Sequence, residues 1–438
     1  TQISLSHKTS IQAELRKSET ENGDIILSFN PDNFSPTKRD DDNTKSIRLG
    51  LHHKFSPNSN LIGSFIYREA DLGAHQFDNV KYDWIKNDEG YLHEVRHSFV
   101  SERLIFTSGI GYFKLDEKDK KTLVMFFPQP IPPYVADIPD EEIKIRHINL
   151  YIYSNINYPQ KFSWTVGGSA DFLKKDSIKQ DDPLNKSSII NIDQFNPKLG
   201  LTWNPFSGTT FRAAGFRVLK RTLISNQTLE PTQIAGFNQF FDDFDTTKSW
   251  RYGIGFDQKI FKWLYGGMEF SKRDIKAPIN FGTSNAYELE ANVNERFDRI
   301  YLYWTPLYWL ALSTEYNFDR FEMNPNDPLP LEVVYVRTHQ FPFGINFFHP
   351  SGFSARLKLT YFDQKGEFGN KTYGITTGED DFWVVDASIR LRFPERSGFF
   401  SIEGKNIFDQ KFKYQNMDLA HPLVYPKRLI LARFTIGF

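Results

Sequence analysis

Ile430-Leu-Ala-Arg-Phe-Thr-Ile-Gly-Phe438 closes the chain, and it alternates. Phe438, Ile436, Phe434, Ala432 and Ile430 fall on one face, and Gly437, Thr435 and Arg433 on the other. Successive side chains of a strand point to opposite sides, so this stretch reads as a β-strand with one apolar and one polar face. Such a strand suits a wall one residue thick, with lipid outside and water inside. It also suits the end of a soluble sandwich, so the rest of the chain has to decide.

Working back from the end, the same period recurs almost everywhere. Ile148, Leu150, Ile152 and Ile156 oppose Asn149, Tyr151, Tyr153 and Asn155. Phe353, Ala355, Leu357, Leu359 and Tyr361 oppose Ser354, Arg356, Lys358 and Thr360. In the first segment Ile3, Leu5, Ile11, Ala13 and Leu15 share a face. These runs reach about ten residues, longer than the usual five or six of soluble strands. They match the nine to eleven that a tilted strand needs to cross a bilayer.

Composition agrees. Hydrophobic residues make up 39% of the 438, yet aromatics make up 16%, with 42 Phe, 20 Tyr and 8 Trp. Few aliphatics and many aromatics fit a thin wall better than a large soluble core. The mean hydropathy is −0.49, and no run is apolar enough for a membrane-spanning helix. Cysteine is absent, which removes disulfides and thiolate metal sites. A net charge of −1 gives no reason to expect a nucleic-acid partner. No leader is visible and Thr1 already lies in an alternating segment, so the sequence reads as a processed or truncated form.

The connections fall into two classes. Short turns are expected at 55–60, 100–102, 158–161, 204–209, 261–263, 305–309, 349–353 and 393–398. Long polar loops are expected at 19–44, 71–89, 117–141, 177–191, 223–247, 277–285, 324–331, 369–380 and 415–427. The two classes alternate strictly, as in outer-membrane barrels with tight periplasmic turns and long extracellular loops. The expected fold is therefore all-β. It is a single transmembrane antiparallel β-barrel over residues 1–438, with about eighteen strands and a range of 16 to 22, placed in the bacterial outer membrane. Phe434, Ile436 and Phe438 belong to the closing strand, which should pair with the strand near Thr1 to leave no edge in lipid. Trp203, Trp263, Trp304 and Trp309 flank short turns and are assigned to the periplasmic aromatic girdle.

Phe195-Asn-Pro-Lys-Leu-Gly-Leu-Thr-Trp203 followed by Thr210-Phe-Arg-Ala-Ala214 resembles the barrel part of TonB-dependent outer-membrane receptors. So do Leu229-Glu-Pro-Thr232 with Trp250-Arg-Tyr-Gly-Ile-Gly255, and the hairpin opened by Ser401-Ile-Glu-Gly-Lys-Asn-Ile-Phe-Asp409. No plug or energy-coupling segment of that family is visible in these residues. Phe237-Asn-Gln-Phe-Phe-Asp-Asp243 and Phe347-Phe-His-Pro-Ser-Gly352 resemble instead the C-terminal barrel of tetratricopeptide-repeat outer-membrane proteins. These resemblances imply passage of solute or polymer through the lumen, anionic saccharide export included. Their alternatives are an uptake receptor without its plug, or a non-conducting scaffold for a periplasmic or surface partner. Expected partners are outer-membrane lipid, the barrel assembly machinery and a periplasmic domain or protein.

No catalytic motif is present, and neither an enzyme nor a cofactor or metal is expected. His93 and His97 share a strand face about 13 Å apart, too far to chelate one ion. Gly109-Ile-Gly111 and Gly253-Ile-Gly255 read as thinned wall positions that make room for bulky interior groups. By parity the lumen leans basic. Arg356, Lys358, Arg390 and Arg392 form its main candidate patch, with Asp386 and Glu403 able to neutralise it. Phe127-Pro-Gln-Pro-Ile-Pro-Pro133 marks one loop as stiff. Phe237, Phe240, Phe241 and Phe244 mark another as too apolar to wave in water, and as a candidate constriction.

Overall fold

The computed structural model describes residues 1–24, 26–77, 80–126, 132–136, 138–179, 187–221, 227–241, 243–278, 290–324, 333–370, 374–417 and 424–437. The strands are β1 (Gln2–Ser4), β2 (Thr9–Asn22), β3 (Arg39–Ser56), β4 (Ser59–Phe77), β5 (Val80–Val100), β6 (Leu104–Met125) and β7 (Tyr134–Ala136). Next come β8 (Glu141–Ile156), β9 (Phe162–Lys179), β10 (Ser187–Trp203), β11 (Thr209–Leu219), β12 (Gln233–Ile234), β13 (Phe237–Asn238), β14 (Lys248–Phe261) and β15 (Leu264–Pro278). The last are β16 (Glu290–Leu307), β17 (Leu310–Met323), β18 (Val333–Phe348), β19 (Phe353–Asn370), β20 (Gly374–Arg392), β21 (Gly398–Lys405) and β22 (Leu429–Ile436).

Twenty of these form one sheet, and β12 and β13 form a separate hairpin. Within the sheet β1 and β7 are three residues each. The other eighteen are the wall, each antiparallel to the next in sequence. Every expected short turn joins two of them.

The outward face of each wall strand records its solvent. On β8 it runs Ile156, Ser154, Ile152, Leu150, Ile148 and then turns to Arg146 and Lys144. On β19 it runs Phe353 to Tyr361 and then turns to Asp363 and Lys365. The apolar stretch is about nine to eleven residues from the short-turn end, the span of a tilted strand through hydrocarbon. Trp203, Trp263 and Trp304 lie at that end, 39%, 45% and 41% exposed.

Two expectations need correction. Segments 71–89, 117–125 and 369–380 are mostly strand, not loop: β4 and β5 run to Phe77 and from Val80, β6 to Met125, and β19 and β20 to Asn370 and from Gly374. Above the lipid both faces meet water, so apolar alternation stops while the ladder continues. Pairs such as Lys86–Glu117 (2.9 Å) and Lys365–Glu379 (2.7 Å) cross-link this polar collar. The first segment is not one strand. Ser6 accepts from the Lys8 and Thr9 amides, both at 3.1 Å, and folds β1 back on β2. The Pro-rich stretch 127–131 and Phe438 lie outside the described residues.

Among the described residues β22 pairs only with β21, and β2 carries only β1 and β3. Leu15, Ile430 and Phe434 are 80%, 67% and 63% exposed, as befits edge strands. The loops above these edges do meet. The Phe29 amide donates to Gln415 Oε1 at 3.2 Å, and the Asn416 amide to the Leu27 carbonyl at 2.9 Å. Lipid does not tolerate an open ladder. We propose that β2 and β22 close on each other. β1 covers Ser10–Ala13 of that edge, so closure there requires β1 to leave it. Leu15 and Ile430 are each the fourth outward residue from the short-turn end of their strands, and L15C/I430C should then form a disulfide in the folded protein. Oxidation without cross-linking places further wall between the two edges.

Candidate functional site

The interior is built from the inward parity of the wall and filled by loops. On β5, β8, β9 and β10 the inward residues are Glu94, His147, Asn149, Asp171, Asn196 and Lys198, all nearly inaccessible. Asp171 accepts from His147 Nε2 (2.9 Å), Asn149 Nδ2 (2.8 Å) and Asn196 Nδ2 (2.6 Å). A buried carboxylate costs several kcal/mol unless its lone pairs are met, and here three donors meet them.

The chain after β11 turns into this interior. β12 and β13 join through Ala235 and Gly236, with φ of 47° and 89°. Both positive angles belong to a tight hairpin turn whose twist matches its strands. Ile234 and Phe237, at the hairpin, are fully buried. A Cβ on Gly253 would overlap the Phe237 ring, one on Gly200 would crowd Ile234, and one on Gly255 would crowd the Arg212 guanidinium. The thinned wall at 253–255 is thus the seat of the hairpin and of an arginine beside it.

Arginines of β11, β14 and β15 hold the aromatic side chains. The Phe237 ring lies 5.2 Å from the Arg212 guanidinium and 5.7 Å from that of Arg251. Phe241 lies 4.9 Å from Arg251 and 3.9 Å from Arg273. Desolvated contacts of this kind are worth ~2 kcal/mol. The same arginines are fixed by acids. Arg212 donates to Asp257 (2.8 Å) and Glu269 (3.1 Å), and Arg273 to Glu295 (2.7 Å) and Asp243. Arg251 also donates to the Asn238 carbonyl at 2.9 Å.

A second anchor lies across the interior. Arg221 and Glu230 form an ion pair at 1% and 2% side-chain exposure. The Tyr153 hydroxyl donates to Glu230 at 2.5 Å, and Glu94 accepts from the Thr228 hydroxyl (2.7 Å) and the Leu229 amide (2.8 Å). The loop therefore bridges β5 on one side and β15 on the other. Between it and β4–β5 is a cavity of about 510 Å³, lined by Ser64, Glu94, Thr228, Thr232, Asn238 and Phe240 among others.

Two more loops occupy the β18–β20 side. Phe29 stacks on Phe368 at 4.2 Å. Phe412 stacks on Phe382 at 4.2 Å, with Tyr414 edge-on to Phe362. Burial pushes the Tyr414 hydroxyl up from its ordinary pKa.

Of the aromatic loop residues singled out from sequence, Phe237, Phe240 and Phe241 come together inside. Phe244 does not: it is 64% exposed, because the chain has turned back toward β14. The basic patch lies on the inner face near the short-turn end. Lys358 faces Asp386 across the ladder, and Asp386 pairs with Lys405 at 3.7 Å. Arg390 stacks on Phe399 at 4.3 Å. Among the described residues Arg356, Arg390 and Arg392 have no carboxylate at ion-pair distance. His93 and His97 face outward on β5, opposite Phe65 and Leu61. No pattern in the sequence marks Arg221 or His147, and Glu230 is marked only by its place in the family-like stretch Leu229-Glu-Pro-Thr232.

Wall, girdle and collar define a β-barrel protein of the outer membrane. A family model described as TonB dependent receptor-like, beta-barrel matches residues 14–407. The chain belongs to that family. A comparison with curated proteins finds no match. Among solved structures, the ferric citrate transporter FecA in its unliganded form superposes with a TM-score of 0.71 at 14% identity, over 100% of this chain and 69% of that one. The siderophore receptor PiuA from Acinetobacter baumannii gives 0.70 at 10%, over 98% and 72%. The ferric-catecholate import receptor Fiu from E. coli K12 gives 0.66 at 11%, over 98% and 72%. At such identities the likeness is one of fold. The family and these neighbours are receptors and transporters, not enzymes. Neither comparison supports polysaccharide export or the tetratricopeptide-linked barrel.

Proposed function

We propose that this barrel serves energy-coupled uptake of a bulky solute, rather than passive diffusion or export. The observation that carries this reading is the occupied interior. Loop residues 227–241 bridge the lumen from Glu94 to Arg273, where a passive pore would hold water. An iron chelate is the first ligand to try, because the solved neighbours are named for ferric citrate, siderophores and ferric catecholates. A neutral polyol is the second class to try, since the cavity beside Glu94 sets the hydroxyl and amide side chains of Ser64, Gln227, Thr228, Thr232 and Asn238 against an apolar side of Ile66, Leu92, Leu229 and Phe240.

Cells expressing the native gene are the test. Labelled ferric citrate, a ferric catecholate and a neutral oligosaccharide are supplied with and without a protonophore. Accumulation that the protonophore abolishes is expected for one of them. Accumulation that persists without a proton gradient would return the barrel to the passive-channel reading.

A further inference from the structure

The outward face carries an arrangement that uptake does not use. Ladder register places Lys272 opposite Arg296, Arg296 opposite Arg320, Arg320 opposite Arg337, and Arg337 opposite Lys365. One horizontal row over five adjacent strands, β15 to β19, is therefore wholly basic. Like charges directly opposite each other on neighbouring strands are destabilising. Four successive such pairs call for a compensating anion at that depth.

The depth is defined by what lies beneath. The next outward row toward the membrane is mixed, with Phe270, Asp298, Phe318, His339 and Asp363 on β15 to β19, and the apolar band starts in the row below it, with Met268, Ile300, Tyr316, Phe341 and Tyr361. The cations thus stand just beyond the hydrocarbon on the long-loop side, where lipid headgroups are.

Internal acids account for part of the charge. Lys272 pairs with Asp274 (2.8 Å), Arg296 with Asp298 (2.7 Å), Arg320 with Glu322 (2.5 Å) and Lys365 with Glu379 (2.7 Å). For the two arginines that pair uses one terminal nitrogen of a five-donor guanidinium. Arg337 has no ion pair among the described residues. Asp298, Asp363 and Asp381 lie one row below, on β16, β19 and β20, and Asp274, Glu322 and Glu367 one row above, on β15, β17 and β19, so Arg337 on β18 is the cation of the row whose own strand carries no acid in either neighbouring row. Elsewhere among the described residues of the wall basic rows are shorter. Lys114, Arg146 and Lys174 span three strands, and Lys17 and Lys45 span two.

We propose that Arg296, Arg320 and Arg337, flanked by Lys272 and Lys365, seat the phosphate groups of outer-leaflet lipid headgroups. Guanidinium groups match phosphate oxygens in pairs and remain charged at any physiological pH. The row would fix the barrel's height and rotation against that leaflet. This reading rests on the outer-membrane location and not on the solute.

The test uses the folded protein in detergent micelles doped with a bisphosphorylated glycolipid or its dephosphorylated form, with retained lipid counted by native mass spectrometry. The wild type is expected to retain the phosphorylated form and to shed the other. R296Q/R320Q/R337Q should weaken retention on the order of a hundredfold, at about one charge's surface attraction for each arginine. Arg337→Gln alone breaks no internal ion pair, so it keeps the fold and should weaken retention about fivefold. Heat-modifiable gel mobility reports that each variant remains a barrel. Equal retention by folded Arg337→Gln and wild type would overturn the proposal, as would equal retention of the dephosphorylated lipid.

Discussion

Replacing Ile234–Phe241 with a short Gly-Ser linker should turn a barrel with little or no conductance into one with a stable open level in planar bilayers. Eighteen-stranded walls enclose enough space for an aqueous channel when nothing fills them. Here the filling is a hairpin whose Ile234 and Phe237 are fully buried against β10 and β14. The deletion removes the groups that stack on Arg212, Arg251 and Arg273. Those arginines keep Asp257, Glu269 and Glu295 as partners, so the wall itself should survive.

The opened pore should also favour chloride over potassium. Arg356, Arg390 and Arg392 line its short-turn end with no carboxylate at ion-pair distance among the described residues. Neutralising them in the loop-deleted barrel should lower the chloride/potassium permeability ratio. A loop-deleted barrel that stays silent would move the constriction to the loops packed on β18–β20, and the 227–241 segment would lose its role.

The wall was legible because period two reports two solvents directly. Below the collar the outward residues of β8 and β19 meet lipid and the inward ones face the lumen and its largely polar filling, so chemistry and geometry coincide along the chain. That coincidence ends at Arg146 or Asp363, where both faces become aqueous. Lys81 to Glu89 and Glu117 to Met125 then look like loop, although their ladder is unbroken. The interior was less legible for a different reason. The hairpin turns on Ala235-Gly236, and alanine at positive φ is disfavoured, so nothing like an Asn-Gly signal marks it. An excess of Phe showed that this segment needed cover, but the arginines that cover it come from three other strands. Phe244 shares the composition and not the position.

Arg221→Met should release the inward loop without deleting any of it. Arg221 is 1% exposed and lies between Glu230, the Phe113 ring at 5.6 Å and the Phe240 ring at 5.2 Å. Removing one partner of a buried ion pair strands the other, at a cost of ~3–5 kcal/mol. Here Glu230 loses its cation, while Glu94 and Asp171 lose the positive charge their field acts on. Glu230 can regain water only if the loop leaves the wall. The docked loop should therefore become less populated by a factor on the order of a hundred to a thousand. Limited proteolysis between residues 227 and 241 reads this directly, with cleavage expected in Arg221→Met and protection in the wild type. R221M/E230Q separates charge from packing. The amide that replaces the Glu230 carboxylate can still accept from Tyr153, and no unpaired negative charge remains there, so most of the protection should return. Protection of Arg221→Met equal to wild type would mean that the arginine–phenylalanine contacts across the lumen and the Glu94 hydrogen bonds hold the loop without Arg221. A double variant as labile as the single one would mean that Arg221 anchors the loop by filling space rather than by its charge.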